Sequence, residues 1–547
     1  MSNKLVRKIK KEPFKNIFDF FSQLMDNILC TYFLFIIVVL PIYNKGTYAN
    51  IASGKISLTM AYFKIFLGML LPCAMVMPGI YLLRHSFYLK REALKELLSR
   101  LSMTDIFVIC YFAANVFSFL FSDYKKIAFW GTTGWGMGLF TQICFFISYF
   151  FISRFWKPRK WLLGLMIPVS FLLFVIGYLN RFGIYPVSME ANSNPQFISF
   201  IGNINWYCGY MVIPIFGSAT LIWYPFADNR FKYLLHTYLL IAFGALITNG
   251  SNSGVMTLLV LFFFMLVISM SDAHHFKAYW ELVFTFSLSC IFTLIIRILF
   301  PDAINYQDRT MNFFTYSMFP VLLAVFSFTM MWLTVRSIQE KRYPEAIMSK
   351  ASKLIVGAAG VAVLLFIAMV IWNTLHPGSL GALSQIGIFT FSPEWGSRRG
   401  ATWTAGIRVW LEQPAWKKLF GVGPECMRSY IYTDASADLY NYVTSVWPIE
   451  KEIYLSNAHC EPLNILAEKG LLGLVSFLGI IASTLKRSIE LLKTPCHSHD
   501  FITLCCTTAI LAYAVHNLAS FQQICNTSTM FLLLGTVEAY HRRPQTF

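Results

Sequence analysis

An all-α, polytopic membrane protein of about fourteen transmembrane helices, with one large and partly helical extracytoplasmic loop, is the fold class this sequence predicts. Three observations lead there. Of 547 residues, 56% are hydrophobic and 13% charged, with a mean hydropathy of +0.57, which does not suit a soluble surface. Apolar runs of the roughly 20 residues that a bilayer core requires recur along almost the whole chain. Lys and Arg are divided unevenly between alternate connections, as orientation in a membrane demands.

The chain opens on a basic cytoplasmic segment, residues 1–25, holding Lys4, Arg7, Lys8, Lys10, Lys11 and Lys15. No small-residue cleavage pattern follows the first apolar run, so a retained anchor is expected. Eleven helices then fill residues 26–374, at about 26–43, 57–83, 103–121, 136–155, 161–179, 205–224, 233–248, 254–270, 281–300, 318–336 and 354–374. After the loop, 375–461, three more at about 462–485, 501–519 and 523–540 complete the bundle before a cytoplasmic tail, 541–547. With the N-terminus inside, the cytoplasmic connections carry 28 Lys and Arg against 13 in the external ones, which predicts N-in and C-in. The net charge of +17 therefore reads as an orientation signal and a contact for anionic lipid, with no nucleic acid as partner.

Twelve cysteines form no CxxC pair and no zinc spacing; most lie in apolar runs, where Cys acts as a small hydrophobe, and no metal site is expected. Cys496, His497 and His499 read as a solvated connection. Cys426 and Cys460 are both external and are a candidate disulfide pair.

An 87-residue connection, Leu375 to Glu461, is too long to be structureless without a purpose. Within it Trp403, Ile407, Trp410 and Leu411 repeat at helical spacing, which predicts an amphipathic helix over 401–411 with its apolar face to the membrane or bundle. Gly421-Val422-Gly423-Pro424 ends that segment, a tyrosine-rich stretch follows, and Pro462 sits in the first turn of the next helix, where a missing N–H costs little.

Seven cations and eight acids make this loop nearly neutral, so particular positions matter more than bulk charge. Arg398 and Arg399 open the predicted helix, and guanidinium forks at a helix start suit a phosphate; an ordinary surface ion pair is the plain alternative. His459, two residues before Glu461, is a candidate general base, with Glu461 as its competitor and a merely hydrogen-bonded loop histidine as the plain reading. Glu468 and Lys469 are expected to pair or to snorkel outward. Lys64 and Arg297, near external helix ends, mark either a polar cavity or snorkelling side chains. His516 and Asn517 either line the same cavity or join two helices.

Taken together, Arg399-Gly-Ala-Thr-Trp403, then Pro414 and Gly421-Val422-Gly423-Pro424, resemble the R-x-x-x-W … P-x-x-G-x-G portion of the bacterial O-antigen ligase and O-antigen polymerase superfamily. Residues 458–474, Ala-His-Cys-Glu-Pro-Leu-Asn-Ile-Leu-Ala-Glu-Lys-Gly-Leu-Leu-Gly-Leu, are similar to its H-N-x-x-L-x-x-L-x-E-x-G-x-x-G signature. The resemblance implies a GT-C-like, metal-independent membrane glycosyltransferase that takes its glycan from undecaprenyl diphosphate, with Arg399 engaging the diphosphate and His459 catalytic. The chain departs from the pattern at Cys460, where Asn is usual, and at Ser251-Asn252-Ser253-Gly254, where the family carries an arginine. A second diphosphate ligand is therefore sought among Arg398, Arg408, Lys64 and Arg297. The acceptor is a glycan or lipid, and polymerase and ligase stay open. No Walker or Rossmann glycine pattern appears, and no cofactor is needed.

Two readings compete with transfer at the outer face of a bacterial cytoplasmic membrane. A lipid-linked oligosaccharide flippase would place its charges on helices around a midplane cavity and keep its loops short. A noncatalytic envelope scaffold would retain its function without Arg399 and His459.

Overall fold

A peptide group inside a bilayer has no water to bond, so each apolar run must satisfy its amides within its own helix. The computed structural model of the chain describes residues 12–84, 99–187, 194–225, 228–451, 454–491 and 498–542, and helices stand at all fourteen expected positions. They are α1 (Glu12–Leu34, prolonged by a π-helical turn, Phe35–Val39), α2 (Ile51–Arg84), α3 (Met103–Phe121), α5 (Leu139–Phe155), α6 (Met166–Arg181), α7 (Ile204–Thr220), α8 (Asn229–Thr248), α9 (Asn252–Ser269) and α10 (Ala273–Leu299). The later ones are α12 (Phe319–Gln339), α13 (Glu345–Leu375), α17 (Glu461–Leu491), α18 (Ser498–His516) and α19 (Ile524–His541). Short helices α4 (Lys125–Trp130) and α11 (Arg309–Thr315) lie in connections, and a two-residue hairpin, β1 (Phe197–Ile198) with antiparallel β2 (Gly202–Asn203), precedes α7. The basic residues Lys4 to Lys11, together with Cys496 and His497, lie outside the described residues.

Among the described residues, eleven helices are long and apolar enough to cross a membrane, while α5 and the Phe501–His516 part of α18 are shorter. The expected fourteen thus exceeds the eleven by those two and by α19. The last differs for a physical reason: it is buried from Ile524 to Tyr540, touches no lipid, and so carries Asn526, Thr527, Ser528 and Thr529 without penalty. At the other extreme, none of the apolar window of α13 is buried.

Helices α3 and α17, α5 and α19, and α7 and α18 are among the closest pairs. An ion network ties one end of this group: Arg154 lies 3.2 Å from the Asp105 carboxylate, which Arg542 also meets, and Arg542 and Arg487 both reach Glu538. Asp105 and Glu538 are fully buried, and charges so placed persist only when paired.

The long connection caps the other end. Its helices α14 (Trp395–Leu411), α15 (Met427–Thr433) and α16 (Ala437–Val446) enclose a core of their own, around Val409, Val422, Met427, Ile431, Leu439 and Val443. Helix α14 exposes Ile407 and Leu411, while its Trp403 and Trp410 are half-buried, Trp410 Nε1 donating to Lys418 O at 2.9 Å. Its small residues Ala401, Ala405 and Gly406 are the buried side, because a Cβ on Gly406 would already stand 3.0 Å from that of Ala458. Cys426 and Cys460 do not pair: both are free and buried, and Cys426 packs against Ser122 on the way out of α3.

What locks the cap to the bundle is a break in α17. Gly470 has φ 67° and ψ −168°, a conformation open essentially to glycine alone. The carbonyls freed before it are taken up at once: Ala467 O accepts from Val422 N–H (3.1 Å), and Glu468 O from Gly423 N–H (3.0 Å) and Ser118 Oγ (2.5 Å). A Cβ on Gly421 would overlap the Glu468 carbonyl carbon, and one on Gly470 would overlap that of Leu419. The glycines of the two motifs therefore exist for each other.

Gly470→Ala is expected to cost about 1–3 kcal/mol in backbone strain alone, with the overlap added, and to remove most folded protein in a heat-challenge gel-filtration assay. Gly357→Ala on α13, where an added Cβ meets nothing, is the control and should leave the melting curve within about 2 °C of the parent, since alanine is the better helix former.

Candidate functional site

The regular part of α14 begins at Arg399. Gly396, Ser397 and Arg398 before it all have positive φ, and this tight entry brings Ala401 N–H onto Pro393 O at 3.0 Å and leaves no room for a Cβ at Gly400 against Ser392 O. The side chain of Arg399 is thereby aimed at the turn between α18 and α19. Its Nε and Nη2 both donate to Ala519 O (3.2 and 3.0 Å), and Nη1 donates to Gly396 O (2.9 Å). A guanidinium has five N–H groups, so two remain for an anion. Burial draws its pKa below the usual arginine value.

His459 approaches the same turn from the other side. Its backbone has φ 48°, its N–H donates to Asn457 Oδ1 at 3.0 Å, and its ring meets Phe521 edge to face at 5.2 Å. Burial, helped by the Arg399 charge, pushes the imidazole down to about 4, so the ring is neutral at pH 7 and free to accept a proton. Cys460, in the place where the resemblance expects Asn, is a buried thiol whose pKa rises to about 11 with burial as the main cause.

Glu461 is 1% exposed, and its carboxylate is enclosed by donors: Tyr513 OH (3.1 Å), Gln522 Nε2 (2.9 Å) and Asn517 Nδ2. Behind it Lys469 Nζ donates to Tyr111 OH (2.8 Å) and Gln522 Oε1 (3.2 Å). Glu468 and Lys469 do not snorkel: they are 3% and 2% exposed, because the Gly470 break turns them into the protein.

The other candidate cations have partners elsewhere. Arg398 is solvent-facing and lies 3.6 Å from Glu394. Arg408 pairs with Asp438 over the Tyr442 ring. Lys64 stands over Trp130 at 5.2 Å, and Arg297 is held by Thr315 Oγ1 (2.6 Å) and Gln307 Oε1 (3.0 Å). Arg399, His459 and Glu461 thus converge on one turn, and Lys64, Arg297 and Arg408 contact other parts of the chain. His516 is buried with Nδ1 3.0 Å from Asn517 Oδ1 and with Nε2 unpartnered among the described residues.

Two cavities flank the site. A polar one of about 30 Å³, room for a water or two, is lined by Glu425, Asn457, Asn464, Glu468, Lys469 and Gln522 among others. An apolar one of about 340 Å³ runs between α13 and the start of α14, along Phe366, Val370, Thr374, Phe391, Trp395 and Trp403; the last two are four residues either side of Arg399. Glu425 and Gln522 escaped the sequence reading. Nothing local marks them, although a Glu-Lys pair followed by Gly inside an apolar run was a signal that α17 would break.

Glu425 accepts backbone N–H groups from Thr132 (2.8 Å) and Met137 (2.9 Å) through one oxygen, and burial, with Glu468 adding, raises its carboxyl to about 8. A carboxyl raised on folding stabilises below its unfolded pKa and loses that contribution as pH rises through the folded one. The melting temperature should therefore decline between about pH 4.5 and 8 through this group. Glu425→Gln should flatten that decline and keep both N–H bonds, whereas Glu425→Ala, leaving two buried donors bare, should cost about 1–3 kcal/mol for each.

Residues 310–478 match the family model described as O-antigen ligase. No curated protein matches the chain.

Proposed function

We propose, from the match of residues 310–478 to the family model described as O-antigen ligase, that this chain is a member of the O-antigen ligase and polymerase superfamily and transfers a glycan from undecaprenyl diphosphate to an acceptor hydroxyl in cell-surface polysaccharide synthesis. The reaction is assigned to the outer face of a bacterial cytoplasmic membrane, with the N- and C-termini inside. The observation that carries the reading is the meeting of a guanidinium with spare donors and a neutral imidazole on one turn, at the end of an apolar groove.

In this reading the polyprenyl tail lies along the groove between α13 and Trp395 and Trp403, and the diphosphate rests on the two remaining N–H groups of Arg399. Arg398, the residue before it and turned to solvent, supplies the second cation by exchanging Glu394, 3.6 Å away, for the diphosphate. As the bond from the anomeric carbon to the phosphate oxygen breaks, charge grows on the departing diphosphate, and fixed donors aimed there stabilise the transition state more than the bound donor. The acceptor oxygen forms the new bond to that carbon and passes its proton to His459. The leaving group's charge is met by arginine, so transfer is expected to continue in excess EDTA.

In cells lacking the chain, the wild type should restore the surface glycan. His459→Ala should fail while expressed at equal level, its transfer rate down by at least about 100-fold, and Arg399→Ala by a similar factor. Accumulation of single lipid-linked repeats identifies a polymerase, and of full-length lipid-linked chains a ligase. Equal rescue by wild type and His459→Ala would sink the reading. With purified protein the acid limb of the rate profile should fall near pH 4 rather than near an ordinary histidine value of about 6.5.

A further inference from the structure

The turn between α18 and α19 touches both groups assigned to the reaction, and it has no regular structure to hold it in place. Ala519 supplies the carbonyl that anchors Arg399, and two residues later Phe521 supplies the ring against which His459 leans. The spacing between guanidinium and imidazole is therefore set by the path of the chain from 517 to 522.

One side chain grips both ends of that path. Glu461 N–H donates to Asn517 O at 2.8 Å, one carboxylate oxygen takes Asn517 Nδ2, and the other takes Gln522 Nε2 at 2.9 Å and Tyr513 OH at 3.1 Å. Two acceptor oxygens are required as well as its shape. Gln522 cannot turn its amide around, because Oε1 already accepts from Lys469 Nζ (3.2 Å) and Gln142 Nε2 (3.1 Å). The donors run in one direction, from Lys469 through Gln522 to Glu461, and only an acceptor completes the line. A carboxylate closed in by three donors is poorly placed to take a proton from an incoming hydroxyl.

We propose that Glu461 is a positioning residue: it clamps the 517–522 turn and thereby holds Arg399 and His459 at one working distance. This rests on the glycosyl-transfer reading above. A displaced reacting group costs turnover far more than it costs binding.

The test uses the purified full-length chain, with lipid-linked glycan extracted from cells that lack it as donor. Glu461→Gln is expected to lower kcat by about 10–100-fold with donor KM within about threefold, and to leave the acid limb of the pH profile where His459 sets it. Combining Glu461→Gln with Gln522→Glu restores the match of donors to acceptors, because the carboxylate then stands at position 522 and accepts both from Lys469 and from the amide at position 461. That pair should bring kcat back to within about fivefold of wild type. Gln522→Met opens the clamp from its other jaw and should reproduce the kcat-only loss, which keeps the test decisive even if Glu461→Gln is too unstable to purify.

Wild-type turnover in Glu461→Gln or in Gln522→Met would overturn the proposal. So would loss of the acid limb in Glu461→Gln together with no recovery in the paired variant, which would make Glu461 the base. Failure of the parent reading looks different: the wild type itself would transfer nothing from the extracted donor, or His459→Ala would match it.

Discussion

Everything at the loop end of this protein hangs on the seam between the broken helix α17 and the Gly421-Val422-Gly423 strand of chain. A helix that stops hydrogen bonding to itself inside an apolar bundle exposes carbonyls that lipid cannot satisfy, and the break survives only where protein takes them up. Here two backbone amides and the Ser118 hydroxyl do so. Because both sides of the seam are backbone in close approach, glycine is needed at 421 and at 470, and the cap cannot slide relative to the bundle without uncovering those carbonyls.

That one break explains the chemistry of its surroundings. It turns Glu468 and Lys469 inward, brings Glu425 to the same cavity, and carries His459 and Glu461 to the turn between α18 and α19. Arg399 reaches that turn from a separate segment. Groups that are 60 residues apart in sequence, such as Arg399 and His459, are held against a third stretch more than 50 residues further on. The polar network from Lys469 through Gln522 to Glu461 is buried in full, and a buried network of this kind specifies one arrangement when every member is satisfied.

Much of this was open to reading in the residues. Continuous apolar runs located the helices, since a lipid-facing segment must be apolar along its length; α13, with no buried core window, is the purest instance. Arg399 and His459 stood out through motif order. Other features were not legible. Arg297 looks on paper like a cation facing a cavity, yet Thr315 and Gln307 consume its donors. Arg181 drew no notice and is fully buried, bonded to Asn249 O, Pro195 O and Asn305, near Ser251-Asn252-Ser253-Gly254, where the resemblance led one to expect an arginine. Cys426 and Cys460 share a loop without meeting.

Composition and spacing by themselves determined that the chain is a helical membrane protein, where its spans fall, and which loop holds the unusual residues, because solvation by lipid acts on each segment separately. Tertiary structure alone decided which charges are spent on structure and which remain for a ligand. It also decided that the central helix α19 is the polar one, and that Glu461 faces donors on every side. Those outcomes depend on hydrogen bonds between stretches far apart in the chain, and a donor's partner is a matter of position in space that no local pattern encodes.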